Sequence, residues 1–98
     1  MKVKVNQVLN DAEGNPLPYK EKVSLTLRDI CSISILNPIQ GDEEKTKLMK
    51  YDIFKKLRNL KANEIELTAE EIALVKKSVA YFQPPLIMGQ CFEMIEGK

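Results

Sequence analysis

A chain of 98 residues allows one domain with a small but real core. Apolar residues at 44% and charged residues at 30% exclude an intrinsically disordered chain, since the apolar positions are plentiful and patterned. The formal net charge of +1 gives no global pull toward nucleic acid or anionic membrane, so any such binding needs a local patch.

The start, Met1-Lys2-Val3-Lys4-Val5-Asn6, has no apolar stretch behind its lysines, which predicts no secretory signal. The apolar stretch from Ile30 to Leu36 is short and is broken by Ser32 and Ser34, too little for a membrane span. A cytoplasmic protein is the expectation. Cys31 and Cys91 lie far apart in apolar contexts, and in that compartment they read as reduced, buried small hydrophobes.

Val3, Val5, Val8 and Leu9 alternate weakly, as in a strand that slips register or bulges near Asn6-Gln7. Asn10 to Pro16 is dense in turn formers, and Pro16 and Pro18 confine Leu17 to Lys20 to an edge strand or extended segment. Residues 1–20 are therefore expected to form a short, irregular β-hairpin or extended arm. Residues 26–96 are expected to be mainly helical. Thr26 followed by Asp29 imitates a capping box and Asn37-Pro38 is a good stop, which predicts a helix over 27–36. Cys31, Ile33 and Ile35 also alternate as in a strand, so both readings stand at this point.

A second helical segment is expected from Gly41, with Asp42, Glu43 and Glu44 in its first turn and basic residues later, an order that complements the helix dipole. Met49, Ile53, Leu57 and Leu60 form one apolar stripe. Leu48, Tyr51 and Phe54 fall on another side. Glu64 to Leu67 reads as a short strand. Thr68 with Glu71 is a capping box, and Leu67 and Ile72 form its hydrophobic staple. Ile72, Val75, Val79 and Phe82 then continue a helix to about Gln83, where Pro84-Pro85 stops it. A last helix is expected before Gly97, with Ile87, Cys91, Met94 and Ile95 on one face. The predicted architecture is an α+β fold with three to four helices packed on a short N-terminal hairpin, with the Glu64–Leu67 strand as a candidate to join it. Its expected core is Val5, Leu27, Ile30, Met49, Ile53, Leu57, Ile72, Val75, Val79 and Phe82.

The chain has no histidine, which removes the commonest general base and zinc ligand and every Ser-His or Cys-His pair. Its four glycines, at 14, 41, 89 and 97, are scattered, so it has no glycine-rich phosphate cradle. Glu70 and Glu71 are adjacent and point in different directions from a helix. Asp42, Glu43 and Glu44 match no calcium-loop spacing. No enzyme activity, cofactor, metal or small-molecule substrate is expected.

The stretch from Lys45 to Lys61 holds lysines 45, 47, 50, 55, 56 and 61 plus Arg58, against one acid, Asp52. Lys47, Lys50, Lys55, Lys56, Arg58 and Lys61 are thus candidate contacts to a phosphate backbone. On a helical wheel they spread over nearly everything outside the Met49–Leu60 stripe, which is also how a solvated surface looks.

Leu25-Thr26-Leu27-Arg28-Asp29-Ile30, the lysine-rich segment with Glu44-Lys45 and Lys50-Tyr51, Ile65 to Ile72 and Pro85 to Gln90 follow one another in an order that resembles small uncharacterised proteins encoded by tailed bacteriophages and prophages. The resemblance implies a phage or prophage origin and the bacterial cytoplasm as the place of action. It brings no catalytic residues. The leading expectation is a non-enzymatic protein-interaction module, a phage accessory or assembly factor that self-associates or binds a protein partner. Leu48, Tyr51 and Phe54 form one candidate face, and Leu86, Ile87 and Met88 belong to the other. A nucleic-acid-binding regulator using the basic 45–61 helix, or a phage inhibitor of a host protein, is the alternative.

Overall fold

The computed structural model describes residues 1–59 and 63–97. In chain order it contains β1 (Lys2–Lys4), β2 (Pro18–Lys20), β3 (Val23–Ser24), α1 (Leu27–Leu36), α2 (Glu44–Asn59), β4 (Glu64–Glu66), α3 (Ala69–Phe82) and α4 (Pro85–Glu96). The fold is α+β, with four helices and two small antiparallel sheets.

The strand partners differ in detail from a single hairpin over residues 1–20. β1 pairs with β4, in the register Lys2↔Glu66, Val3↔Ile65 and Lys4↔Glu64. This register turns Val3 and Ile65 into the core and leaves the charged neighbours outside. β2 pairs instead with β3, across a turn in which Lys22 has φ 61°. Chain closure in this region runs through three leucines spaced eight apart. The Leu9 N–H donates to the Leu25 carbonyl (2.9 Å), Leu25 to Leu17 (2.8 Å) and Leu17 to Leu9 (2.9 Å). This closed ring satisfies backbone groups that two prolines bar from a longer ladder. The Asp11 carboxylate accepts the N–H groups of Glu13 and Asn15, each at 2.9 Å, and so shapes the loop between Leu9 and Leu17.

Residues 27–36 are helical. Asp29 accepts both the N–H and the hydroxyl of Thr26 at 2.9 Å, and the Asn37 side chain donates to the Ile33 carbonyl at the other end. The expected start of the second helix at Gly41 is corrected to Glu44. Gly41 has φ +94°, outside the helical region, and Asp42 lies in the connection rather than in the first turn. The Thr68 cap forms as expected: the Glu71 N–H donates to the Thr68 hydroxyl (3.1 Å) and the Thr68 N–H to the Glu71 carboxylate (3.0 Å). α4 begins on Pro85 and ends at Gly97, whose φ is 75°. The Gln90 amide exchanges two hydrogen bonds with the Asn10 backbone (2.7 and 2.8 Å), tying α4 to the N-terminal loop.

α1 lies between α2 and α3, and α4 packs on α3 and β1. Val5, Leu27, Ile30, Ile53, Leu57, Ile72, Val75 and Val79 are buried together, as the patterning predicts. Met49 and Phe82 are only partly buried, which corrects their placement in the core. Phe82 meets the exposed Tyr81 edge to face, with ring centroids 4.8 Å apart. Val3, Leu9, Cys31, Ile35, Ile65, Leu67, Cys91 and Ile95 complete the cluster. Leu60 lies outside the described residues. No helix among them is long and apolar enough to cross a membrane.

Candidate functional site

Among the described residues no three Asp, Glu or Cys side chains gather where a metal ion could be held. Cys31 and Cys91 are both free and buried. Burial pushes the Cys91 thiol up to about 12. Burial, and then the neighbouring Cys91, push the Cys31 thiol higher still. Neither is poised as a nucleophile. The interior void, lined by side chains such as Val3, Leu27, Cys31, Leu57 and Val75, measures about 10 Å³ and is wholly apolar. It is too small for a substrate and gives a water no polar partner.

The surface has more to offer, and it is organised by one buried ion pair. Asp42, in the connection before α2, and Lys50, two turns into α2, have side chains only 5% and 4% exposed. The Lys50 ammonium donates to Asp42 Oδ2 at 2.6 Å and to the Asn37 carbonyl at 3.4 Å. Asp42 Oδ2 also accepts the Ile39 N–H at 2.9 Å. The hydrogen bond from Lys50, then that from Ile39, hold the Asp42 carboxyl below the usual aspartate range. The connection from α1 is thereby fastened onto α2.

Above this pair lies an open groove of about 320 Å³, lined chiefly by Leu36, Asn37, Pro38, Lys47, Lys50 and Tyr51. Leu36 and Tyr51 remain 51% and 52% exposed, although each sits on a helix whose opposite side is packed. One step along α2, Leu48 is 57% exposed and borders a second open depression with Glu44, Lys45, Met49 and Asp52. The outer side of α2 and the end of α1 therefore present three large apolar side chains on helical backbone.

The expected faces divide. Leu48 and Tyr51 stand out as candidates. Phe54 does not, because it is half-buried against the core. Leu86 is 45% exposed, but Ile87 and Met88 pack against the core, so Leu86 to Met88 form no continuous outer face. Leu36 and Pro38 complete the groove and were not among the candidates. Their signal was the position of Leu36 at the end of α1, beyond the packed residues Cys31 and Ile35.

The basic candidates are redistributed too. Lys50 is corrected from a solvated phosphate contact to a buried partner of Asp42. Burial leaves its ammonium no access to a nucleic acid. Lys56 donates to Glu71 at 2.7 Å, and Lys55 pairs with Asp52 at 3.4 Å while lying 4.9 Å from the Tyr51 ring centroid. Lys47 and Arg58 are exposed, and Lys61 lies outside the described residues. Comparison with protein-family models, curated proteins and solved structures finds no match for the chain.

Proposed function

We propose that this chain is a non-enzymatic protein-interaction module that acts in the bacterial cytoplasm as a phage or prophage accessory or assembly factor. The observation that carries the reading is the exposed apolar surface of Leu36, Leu48 and Tyr51, held on two packed helices over the Asp42–Lys50 pair. Large apolar and aromatic side chains on pre-ordered backbone lose little freedom when a partner covers them, and aromatics dominate the energetics of such contacts. The likeness in feature order to phage-encoded proteins supports the biological setting. Blocking a host protein would use the same surface and the same physics.

The test compares the parent with a Leu48→Ser/Tyr51→Ser variant, shown to be folded by circular dichroism. Each is immobilised and exposed to bacterial lysate, with and without nuclease. Proteins retained by the parent and lost with the variant support the reading. Equal retention by both removes this surface from the function. Retention that disappears with nuclease reassigns the protein to nucleic acid, through Lys47 and Arg58 rather than Lys50.

A further inference from the structure

The outer stripe of α2 is patterned in charge as well as in hydrophobicity. Glu44, Leu48, Tyr51, Lys55 and Arg58 recur at steps of four, three, four and three, so they form one band along the helix. That band faces away from Ile53 and Leu57, which are buried on the opposite side. It runs from an acid through two apolar residues to two bases. All five residues are exposed.

Such a band complements itself when reversed. The geometry points to a second copy of this chain as the occupant of the surface, its α2 lying antiparallel to the first across a two-fold axis. This inference rests on the interaction reading above and names its partner. Placing Leu48 opposite Tyr51 of the second copy also places Glu44 opposite Lys55 of that copy, twice by symmetry. A parallel pairing would set like charges against each other along the whole band.

On one flank of the band Lys45, Leu48, Met49 and Asp52 border an open depression. Leu36 and Pro38, which share the neighbouring groove with Tyr51, widen the apolar contact. One helix of 16 residues with this rim is a small contact beside the roughly 1,200 Å² at the lower end of standard interfaces, so the dimer is a weak one.

Sedimentation equilibrium over a concentration series tests this, using the full chain and the variants Glu44→Lys and Lys55→Glu, with folding followed by circular dichroism. The parent is expected to dimerise, and each single reversal to weaken the dimer about tenfold or more. An equimolar mixture of the two variants is expected to regain parental affinity, because each mixed pair restores opposite charges at both sites. The Lys55–Asp52 pair within the chain is lost in Lys55→Glu whether or not the partner is present, so recovery on mixing reports on the interface alone. A parent that stays monomeric at about 1 mM overturns the dimer, as does association that the reversals leave unchanged or that mixing fails to restore. A monomer that still retains a foreign protein through Leu48 and Tyr51 leaves the interaction reading standing. A monomer whose capture is indifferent to those residues ends both.

Discussion

Lys50 reaches back from α2 to Asp42, eight residues earlier, and the two charges meet at 2.6 Å with almost no exposure to solvent. The pair links the α1–α2 connection to the middle of α2, since Lys50 also donates to the Asn37 carbonyl. Asn37 follows directly on Leu36, so the same contact fixes the groove between Leu36, Pro38 and Tyr51. The structure of the candidate surface thus depends on a polar clamp beneath it.

Breaking one half of such a clamp is costly, because the other half stays buried without its partner. Lys50→Met keeps the length of the stem and leaves the Asp42 carboxylate with the Ile39 N–H. The melting temperature is expected to fall by more than about 10 °C. Asp42→Asn in the same chain removes the stranded charge and should recover part of the loss. Thermal unfolding of the four chains of this cycle measures the coupling. Strictly additive effects would show that the pair contributes nothing.

The same carboxylate shapes the response to acid. Asp42 is held below its ordinary range by Lys50 and Ile39. At Glu71 burial pushes upward, but hydrogen bonds from Lys56 and from the Thr68 N–H outweigh it and the carboxyl is again lowered. A carboxyl whose pKa is lower in the folded chain binds fewer protons there than in the unfolded one. Its stabilisation is present above the unfolded pKa of about 4 and disappears as pH falls through the folded value. Urea midpoints should therefore hold between about pH 5 and 7 and drop steeply below about pH 4. Asp42→Asn should flatten that drop, and an acid limb as steep as the parent's would assign it to other groups.

Local signals were legible where one residue type carried one physical role. The Thr68–Glu71 box and the Thr26–Asp29 pair both mark true helix starts. Buried positions such as Ile53, Leu57, Val75 and Val79 follow from spacing alone. What depends on distant partners was less legible. β1 pairs with β4 across sixty or more residues; Glu64–Leu67 is legible as a strand that could join the N-terminal one, but nothing local in Val3 or Val5 sets the register. Lys50 lies among lysines of identical chemistry, and only the turn at Gly41, which brings Asp42 over α2, makes it a buried residue. Phe54 and Tyr51 are both aromatic and three residues apart, yet a shift of about 60° around the helix separates partly buried from exposed.

The cap at α3 gives a direct measure of local helix energetics. Thr68→Ala removes the acceptor for the Glu71 N–H and should cost about 1 kcal/mol in chemical denaturation. Lys56→Ala removes a pair whose lysine is half exposed, and should cost no more than about 0.5 kcal/mol. Equal losses from the two substitutions would place the stabilisation in the ion pair instead of the cap.

Cys31 and Cys91 should behave as core residues in solution. Both are buried, and burial raises both thiols, Cys91 to about 12. A water-soluble aromatic disulfide reagent at neutral pH is expected to label neither in the native protein and both in denaturant. Rapid labelling of either without denaturant would expose a local opening around α1 or α4.

Tyr51 and Phe54 give the sharpest separation between surface and core. Tyr51 is 52% exposed and its ring meets the Lys55 ammonium at the surface, so Tyr51→Ser should change stability by no more than about 0.5 kcal/mol. Phe54 packs against the buried cluster, and Phe54→Ser removes much of its apolar area from that contact. A loss of about 2 kcal/mol is expected from the buried part of the ring. Association should show the reverse order, with Tyr51→Ser weakening it while the fold is intact. Phe54→Ser should act on association only as far as it loosens α2. Urea denaturation and sedimentation on the two single variants together read both orders. A Tyr51→Ser chain that is destabilised as much as Phe54→Ser would return Tyr51 to the core and remove it from the interaction surface.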